Sequence, residues 1–202
     1  MNTSYIRHWI KEHFANTEVD EIFDLLRQYY SAPHPDPTYR AVLRLARGDK
    51  AALRLWLERA QTALEDVHRA AEFLETWEQV IDSYRKEVEA NPWMKARLAV
   101  TQHFLDSKQA ERFRAGTSVS RLVISANDRH GLDADDPYIL ISSPDACEEP
   151  DLLRIDYFAC DAREPVESVI CGVQEAPGVL GPFLMRLEQS RGAEPLPQQQ
   201  PN

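Results

Sequence analysis

The sequence is poor in the residues that mark several common classes of protein. It contains three cysteines and seven glycines in 202 residues, and no apolar run approaches the length needed to cross a bilayer. Three widely spaced cysteines do not form a disulfide framework, and no glycine-rich phosphate-binding pattern is present. We therefore expect a cytoplasmic protein with reduced thiols, no membrane segment and no cofactor.

Negative charge is concentrated in one part of the chain. The net charge is -10 at pH 7, and residues 127 to 167 carry twelve Asp or Glu residues against three arginines. Such a field repels phosphate backbones and attracts basic surfaces. We expect a basic protein partner for this region and no direct binding of nucleic acid by it.

The most regular pattern is a seven-residue repeat whose first and fourth positions are all apolar. Its members are Leu53, Trp56, Ala60, Ala63, Val67, Ala70, Leu74, Trp77, Ile81, Tyr84 and Val88. This spacing predicts a single long helix over residues 50 to 90, with a continuous apolar seam for a partner helix. The predicted interface residues are Trp56, Val67, Leu74, Trp77, Ile81 and Tyr84. Either the chain's own shorter helices or a second copy, in a homodimer, would fill the seam.

Shorter helices are indicated on both sides of this repeat. Residues 4 to 30 have the spacing of two helices, and a third is predicted from Pro37 to Gly48 with Asp36 as its cap. Asp49 is placed to cap the long helix. A last helix is predicted to begin after Asn91 and to continue to Gly116.

Strand patterns replace helix patterns after Gly116. Runs of apolar residues predict strands near 119–124, 138–141, 153–159 and 166–173, and residues 183–187 fit either a strand or a helical turn. Helices followed by strands indicate an α+β fold with an antiparallel sheet. We expect a helical region over 1–116, an acidic β region over 117–190 and a disordered tail over 191–202.

Two residues of the last helix suggest one possible enzymatic activity. Arg97 and His103 are separated by five residues, which resembles the Arg-x(4 to 6)-His pattern of the helical HEPN ribonucleases. That resemblance implies an Arg and a His from two subunits meeting at an RNA phosphate, with the His in acid-base chemistry. Arg7 with His13 and Arg27 with His34 have similar spacings, and about one or two such matches are expected by chance.

The polar loop between the first two predicted strands suggests a second activity. Asp128, His130, Asp133, Asp135 and Asp136 lie within ten residues, and their oxygens suit a hard cation such as calcium or magnesium. No calcium-loop spacing is present, and Asp, Asn and Gly are also ordinary turn residues. Asp133, Asp135 and Asp136 are the candidate metal ligands, and Asp128 and His130 are the candidate catalytic residues.

Two further combinations of ligand-type residues have weaker support. Glu65 and His68 have the Glu-x-x-His spacing of di-iron bundles, but a second such pair is absent. Cys147, Cys160 and Cys171 could join His130 at a zinc ion, but no Cys-x-x-Cys knuckle is present.

The function that the sequence favours is protein binding. We expect a non-enzymatic interaction module, such as an accessory subunit, an adaptor or an inhibitor or immunity-type protein, that presents an acidic surface to a basic partner. The ribonuclease and the metal-dependent activity are the alternatives.

Overall fold

The computed structural model describes residues 3–29, 36–118, 121–127, 136–144 and 151–191. Within these ranges the chain forms seven α-helices and a five-stranded antiparallel sheet, which confirms the α+β prediction. None of the described helices is both long enough and apolar enough to span a bilayer. The chain divides into two compact units, Met1–Thr76 with Ala110–Arg112, and Trp77–Gln109 with Phe113–Asn202.

The helices of the first unit follow the predicted order. They are α1 (Thr3–His13), α2 (Val19–Tyr29), α3 (Asp36–Ala46), α4 (Lys50–Thr62) and the beginning of α5 (Leu64–Glu87). The side chain of Asp49 accepts hydrogen bonds from the first backbone amides of α4, as expected for a cap. The buried Tyr39 hydroxyl donates to the carbonyl of Leu26 (3.0 Å), which joins α3 to α2.

The prediction of one unbroken helix over residues 50 to 90 is wrong. Ala63 separates α4 from α5 with a non-helical backbone (φ -145°, ψ 60°). Glu65 and Asp66 then begin α5 with negative charge, which favours a helix N-terminus. Arg59, in the last turn of α4, lies 3.6 Å from the Asp66 carboxylate on the other side of the break.

The heptad seam continues in phase across the break and is largely buried. Eight of its members are at most 7% exposed: Leu53, Ala60, Val67, Ala70, Leu74, Trp77, Ile81 and Tyr84. Trp56, Ala63 and Val88 are partly exposed. The apolar repeat therefore encodes the core of a single chain.

The segment after α5 differs from the helix predicted up to Gly116. Helix α6 covers only Lys95–Asp106, and a short 3-10 turn over Lys108–Glu111 leads into strand β1 (Arg114–Ser118). The Ser107 hydroxyl donates to the carbonyl of Phe104 and accepts from the amide of Gln109. These local hydrogen bonds replace helical ones at the end of α6.

The second unit is built on a sheet in which each strand pairs with its sequence neighbour. The remaining strands are β2 (Arg121–Ser125), β3 (Tyr138–Ser142), β4 (Leu152–Phe158) and β5 (Glu167–Gly172). By the strand register one face carries fully buried aliphatic residues, Leu122, Ile124, Ile139, Ile141, Leu153 and Ile155. The order places β1 and β5 at the two edges.

The last described element is a helix, where the sequence suggested a short strand or helical turn. Helix α7 (Ala176–Arg191) continues through Pro182 and packs against β4 and β5. The ring of Phe183 stacks on Tyr157 at a centroid distance of 5.7 Å. Burial of one apolar stripe of α7 outweighs the cost of the internal proline.

Candidate functional site

The predicted partner interface on the long helix is mostly inaccessible. Val67, Leu74, Trp77, Ile81 and Tyr84 are at most 1% exposed, and only Trp56 among the six is partly exposed. A second copy could contact the five buried side chains only if the core opened. In the folded chain these five side chains therefore offer no surface to a second copy.

Arg97 and His103 do not converge within the chain. Six residues along a helix of about 3.6 residues per turn put them roughly 120° apart. Accordingly Arg97 is 2% exposed whereas His103 is exposed on α6. The two side chains form no common polar cleft.

The guanidinium of Arg97 lies against an aromatic ring. Its Cζ is 4.3 Å from the ring centroid of Trp93, a cation-π contact. Among the described residues, no group accepts a hydrogen bond from its Nε or Nη2. Burial lowers the pKa of Arg97. Burial also raises the pKa of the neighbouring Tyr84 to about 12, although the positive charge of Arg97 acts to lower it. An arginine enclosed in this way cannot bind an RNA phosphate in the folded chain.

Most of the predicted metal loop lies outside the described residues. Asp128, His130, Asp133 and Asp135 belong to that part, and Asp136 is the described member. The side-chain amide of Asn127 donates to the Asp136 carboxylate. In the described ranges, no three His, Cys, Asp or Glu side chains come together as a metal site.

The weaker ligand combinations of the sequence are also not assembled by described residues. Cys171 is buried in β5, Cys160 is exposed, and Cys147 and His130 lie outside the described residues. Burial, assisted by Glu175, raises the pKa of the Cys171 thiol. His68 lies 3.2 Å from the hydroxyl of Thr38, whereas Glu65 is exposed.

Strand β5 is one of the two edge strands of the sheet and carries exposed side chains. Glu167, Ser168 and Ile170 are exposed, and the Ile170 side chain retains 60% of its accessible surface. Val166, just before the strand, retains 63%. Exposed aliphatic side chains next to an edge strand offer contacts to an added strand.

The hydrogen-bond pattern shows which backbone groups of β5 point outward. The amide of Val173 donates to the carbonyl of Asp151 (3.1 Å), and hydrogen-bonded pairs alternate along an antiparallel ladder. The register then directs the backbone of Val169 and Cys171 toward β4, and that of Ser168 and Ile170 away from it. Within the described residues, no strand pairs with that side of β5.

Carboxylates lie at both ends of this edge. Asp161 and Glu164 are exposed in the turn before β5, and Asp151 and Glu175 are exposed at its other end. Across residues 151–175 the chain has six carboxylates and two guanidiniums. Arg186 of α7 compensates part of this charge through its ion pair with Glu167 (2.7 Å).

The sheet face beside this edge carries a fixed polar group. Asp156 is 5% exposed and accepts hydrogen bonds from the Arg154 guanidinium (2.9 Å) and the Ser168 hydroxyl (2.6 Å). Because these contacts hold Ser168 against β4, they position β5 for pairing on its other side. No described His lies in this network, so it is not a nucleophile with its base.

No protein-family model, curated protein or solved structure matches this chain.

Proposed function

We propose that this chain is a non-enzymatic interaction protein that binds an extended basic segment of another protein along β5. The observation that carries the proposal is the exposed edge at Ser168 and Ile170, whose backbone amides and carbonyls point away from β4. An added strand would form main-chain hydrogen bonds there, and Ile170 would contact its side chains. Each such hydrogen bond contributes about 0.5 to 1.5 kcal/mol net.

Charge supports a basic partner. The carboxylates at both ends of the edge attract lysine and arginine side chains that flank the pairing residues. Rim charges of this kind mainly raise the association rate, so binding should weaken as salt is added.

The same charge disfavours a second copy at this edge. Two β5 strands paired antiparallel would bring Asp161 and Glu164 of one copy near Asp151 and Glu175 of the other. Like charges oppose edge-to-edge association, and natural edge strands use charge for this purpose. A partner of opposite charge avoids the repulsion.

The test uses a fluorescent peptide of alternating lysine and valine, with a glutamate-valine peptide as the charge control. We expect the lysine peptide to bind the full chain in an anisotropy titration, and the glutamate peptide not to bind. Ile170→Pro removes an outward amide while leaving the ladder to β4 intact, because proline is tolerated where the N–H faces outward. Losing that hydrogen bond should weaken binding about two- to tenfold.

Ile170→Ala is the matched control, since it also shortens the side chain but keeps the amide. We expect Ile170→Pro to bind more weakly than Ile170→Ala, with both variants as folded as the native chain by circular dichroism. Equal binding by the two variants, or equal binding of the two peptides, would contradict the proposal. Assembly of the native chain into dimers that Ile170→Pro dissolves would instead identify a second copy as the partner.

A further inference from the structure

One side of helix α7 follows the edge strand β5. Glu175, Val179, Pro182 and Arg186 are spaced at intervals of four, three and four residues, which places them in one line along a helix. The amide of Val179 donates to the carbonyl of Glu175 (3.1 Å), so Glu175 is in phase with the helix that begins after it. We call these four residues the α7 stripe.

Two contacts fix the ends of the α7 stripe beside the ends of β5. The Gly172 amide donates to Oε2 of Glu175 (3.0 Å), and Arg186 donates to the Glu167 carboxylate (2.7 Å). The stripe is about 16 Å long at about 1.5 Å per helical residue, and Glu167–Gly172 is about 17 Å long at about 3.4 Å per strand residue. The stripe therefore runs beside the whole of β5, in the opposite direction.

The stripe borders only one face of β5. Tyr157 stacks on Phe183 of α7, and the strand register pairs Tyr157 with Glu167. Because side chains alternate along a strand, Val169 shares this face with Glu167, whereas Ile170 lies on the other face. A strand added to β5 would thus have one set of side chains next to the α7 stripe and the alternate set next to Ile170.

The two faces differ in charge. On the stripe side the Glu175 carboxylate is exposed, and its bond to the outward amide of Gly172 holds it at the edge. On the other face the strand register pairs Ile170 with Arg154, whose guanidinium contacts the Asp156 carboxylate at 2.9 Å. A cationic side chain would meet a carboxylate on the first face and an arginine on the second.

The middle of the α7 stripe is apolar. Val179 is half-buried, Pro182 is exposed, and Val169 of β5 is half-buried on the same face. A lysine side chain covers apolar surface with its methylene groups and extends its ammonium group to a polar partner. The stripe side offers both surfaces to a lysine, since Glu175 lies at the end of this apolar stretch.

We infer that the partner strand runs antiparallel to β5, with its basic side chains next to the α7 stripe and its apolar side chains next to Ile170. Glu175 is the residue that selects the basic side chain. The inference rests on the proposed function and specifies which strands the edge selects. Antiparallel pairing is the slightly more stable arrangement per residue, and the described strands all pair in this way.

This arrangement determines which amides of the partner bind β5. The backbone groups of Ser168 and Ile170 point outward, so each forms a hydrogen-bonded pair with the partner residue directly opposite. Opposite residues have their side chains on the same face. The apolar residues of the partner therefore donate their amides to β5, and the amides of its basic residues point away.

The test uses three forms of the lysine-valine peptide: unmodified, N-methylated at every valine, and N-methylated at every lysine. N-methylation removes the amide hydrogen and leaves the side chain and charge unchanged, so the two methylated peptides are matched. We expect the valine-methylated peptide to bind the full chain at least tenfold more weakly than the lysine-methylated peptide in an anisotropy titration. It loses two hydrogen bonds, each of which contributes about two- to tenfold in affinity.

A pair of variants tests the role of Glu175. Glu175→Gln keeps an acceptor for the Gly172 amide but removes the charge, so it should weaken binding of the unmodified peptide about two- to fivefold. Glu65→Gln is the matched control, because it makes the same change at an exposed position of α5. We expect this control to bind like the native chain.

The outcomes separate this inference from the proposed function. If the unmodified peptide binds but the methylated peptides bind equally, or the lysine-methylated one binds more weakly, the inference is wrong and strand addition at β5 stands. If the unmodified peptide does not bind, both are wrong. Equal binding by Glu175→Gln and Glu65→Gln would exclude Glu175 as the selecting residue. If Glu175→Gln does not fold, the methylated peptides with the native chain still decide.

Discussion

Replacing Trp77 by phenylalanine tests whether the heptad seam is the core of a single chain. The Trp77 side chain is fully buried, its Nε1 donates to the carbonyl of Phe113 at 2.7 Å, and its ring stacks on Phe104 at 4.8 Å. Phenylalanine keeps an aromatic ring there but cannot donate the hydrogen bond. Losing a donor to a buried carbonyl costs about 1 to 3 kcal/mol, and the smaller ring costs about 1 kcal/mol more.

The expected loss of unfolding free energy is therefore about 2 to 4 kcal/mol. Urea denaturation followed by circular dichroism measures it, and light scattering measures the native mass. Trp56→Phe is the matched control, because Trp56 occupies the same seam but is partly exposed, with Arg59 5.5 Å from its ring centroid. We expect a loss below about 1 kcal/mol there.

Two outcomes would refute this reasoning. If Trp77→Phe costs no more than Trp56→Phe, the buried hydrogen bond and stack do not contribute as described. If Trp77→Phe halves the native mass, the seam is an interface between copies.

Further predictions concern backbone strain and pH. Gly48 has a φ of +83°, and an added Cβ would lie 2.6 Å from the carbonyl oxygen of His13, so Gly48→Ala should destabilise the fold by about 1 to 3 kcal/mol. Gly178→Ala in α7, where a Cβ meets nothing within 4 Å, should instead stabilise it by about 0.5 to 1 kcal/mol in the same denaturation assay. Burial lowers the pKa of His13 from 6.5, so the unfolded chain binds the proton more readily and stability falls as the pH drops below 6.5. His13→Gln should flatten the fall in melting temperature between pH 7 and 5.5, and an unchanged slope would exclude His13 as its cause.

Much of the fold could be predicted from local patterns. Apolar spacing located α1 to α3, the Asp49 cap located the start of α4, and runs of aliphatic residues located β2 to β5. The break at Ala63 could not be found from the heptads, because alanine favours helix and the apolar phase is kept. The charges around it, Arg59 before and Glu65 with Asp66 after, are the sequence signal for a helix end and a new start.

The elements that sequence reasoning missed depend on tertiary contacts. Strand β1 has the sequence Arg-Ala-Gly-Thr-Ser, without an apolar alternation, and it becomes a strand because its backbone pairs with β2. Helix α7 contains Pro182 and two glycines, which are unfavourable inside a helix, but its apolar stripe packs on the sheet.

The candidate sites were harder to predict than the elements. A strand near 166–173 was expected, but its position at the edge follows from the strand order, which one sequence does not specify. Trp9, Asp36, Arg40 and His68 line one cleft of the first unit. They come from three helices, and no local spacing connects them. Conversely, Arg97 and His103 are close in sequence but lie on different sides of α6.

Amide hydrogen exchange along β5, resolved by NMR, tests the proposed function most directly. In the unbound chain we expect slow exchange at Val169 and Cys171, which donate to β4, and fast exchange at Ser168 and Ile170. Saturating lysine-valine peptide should slow exchange at Ser168 and Ile170 and leave the other two unchanged. Exchange at Ser168 and Ile170 that is already slow without peptide, or that stays fast with it, would contradict strand addition at β5.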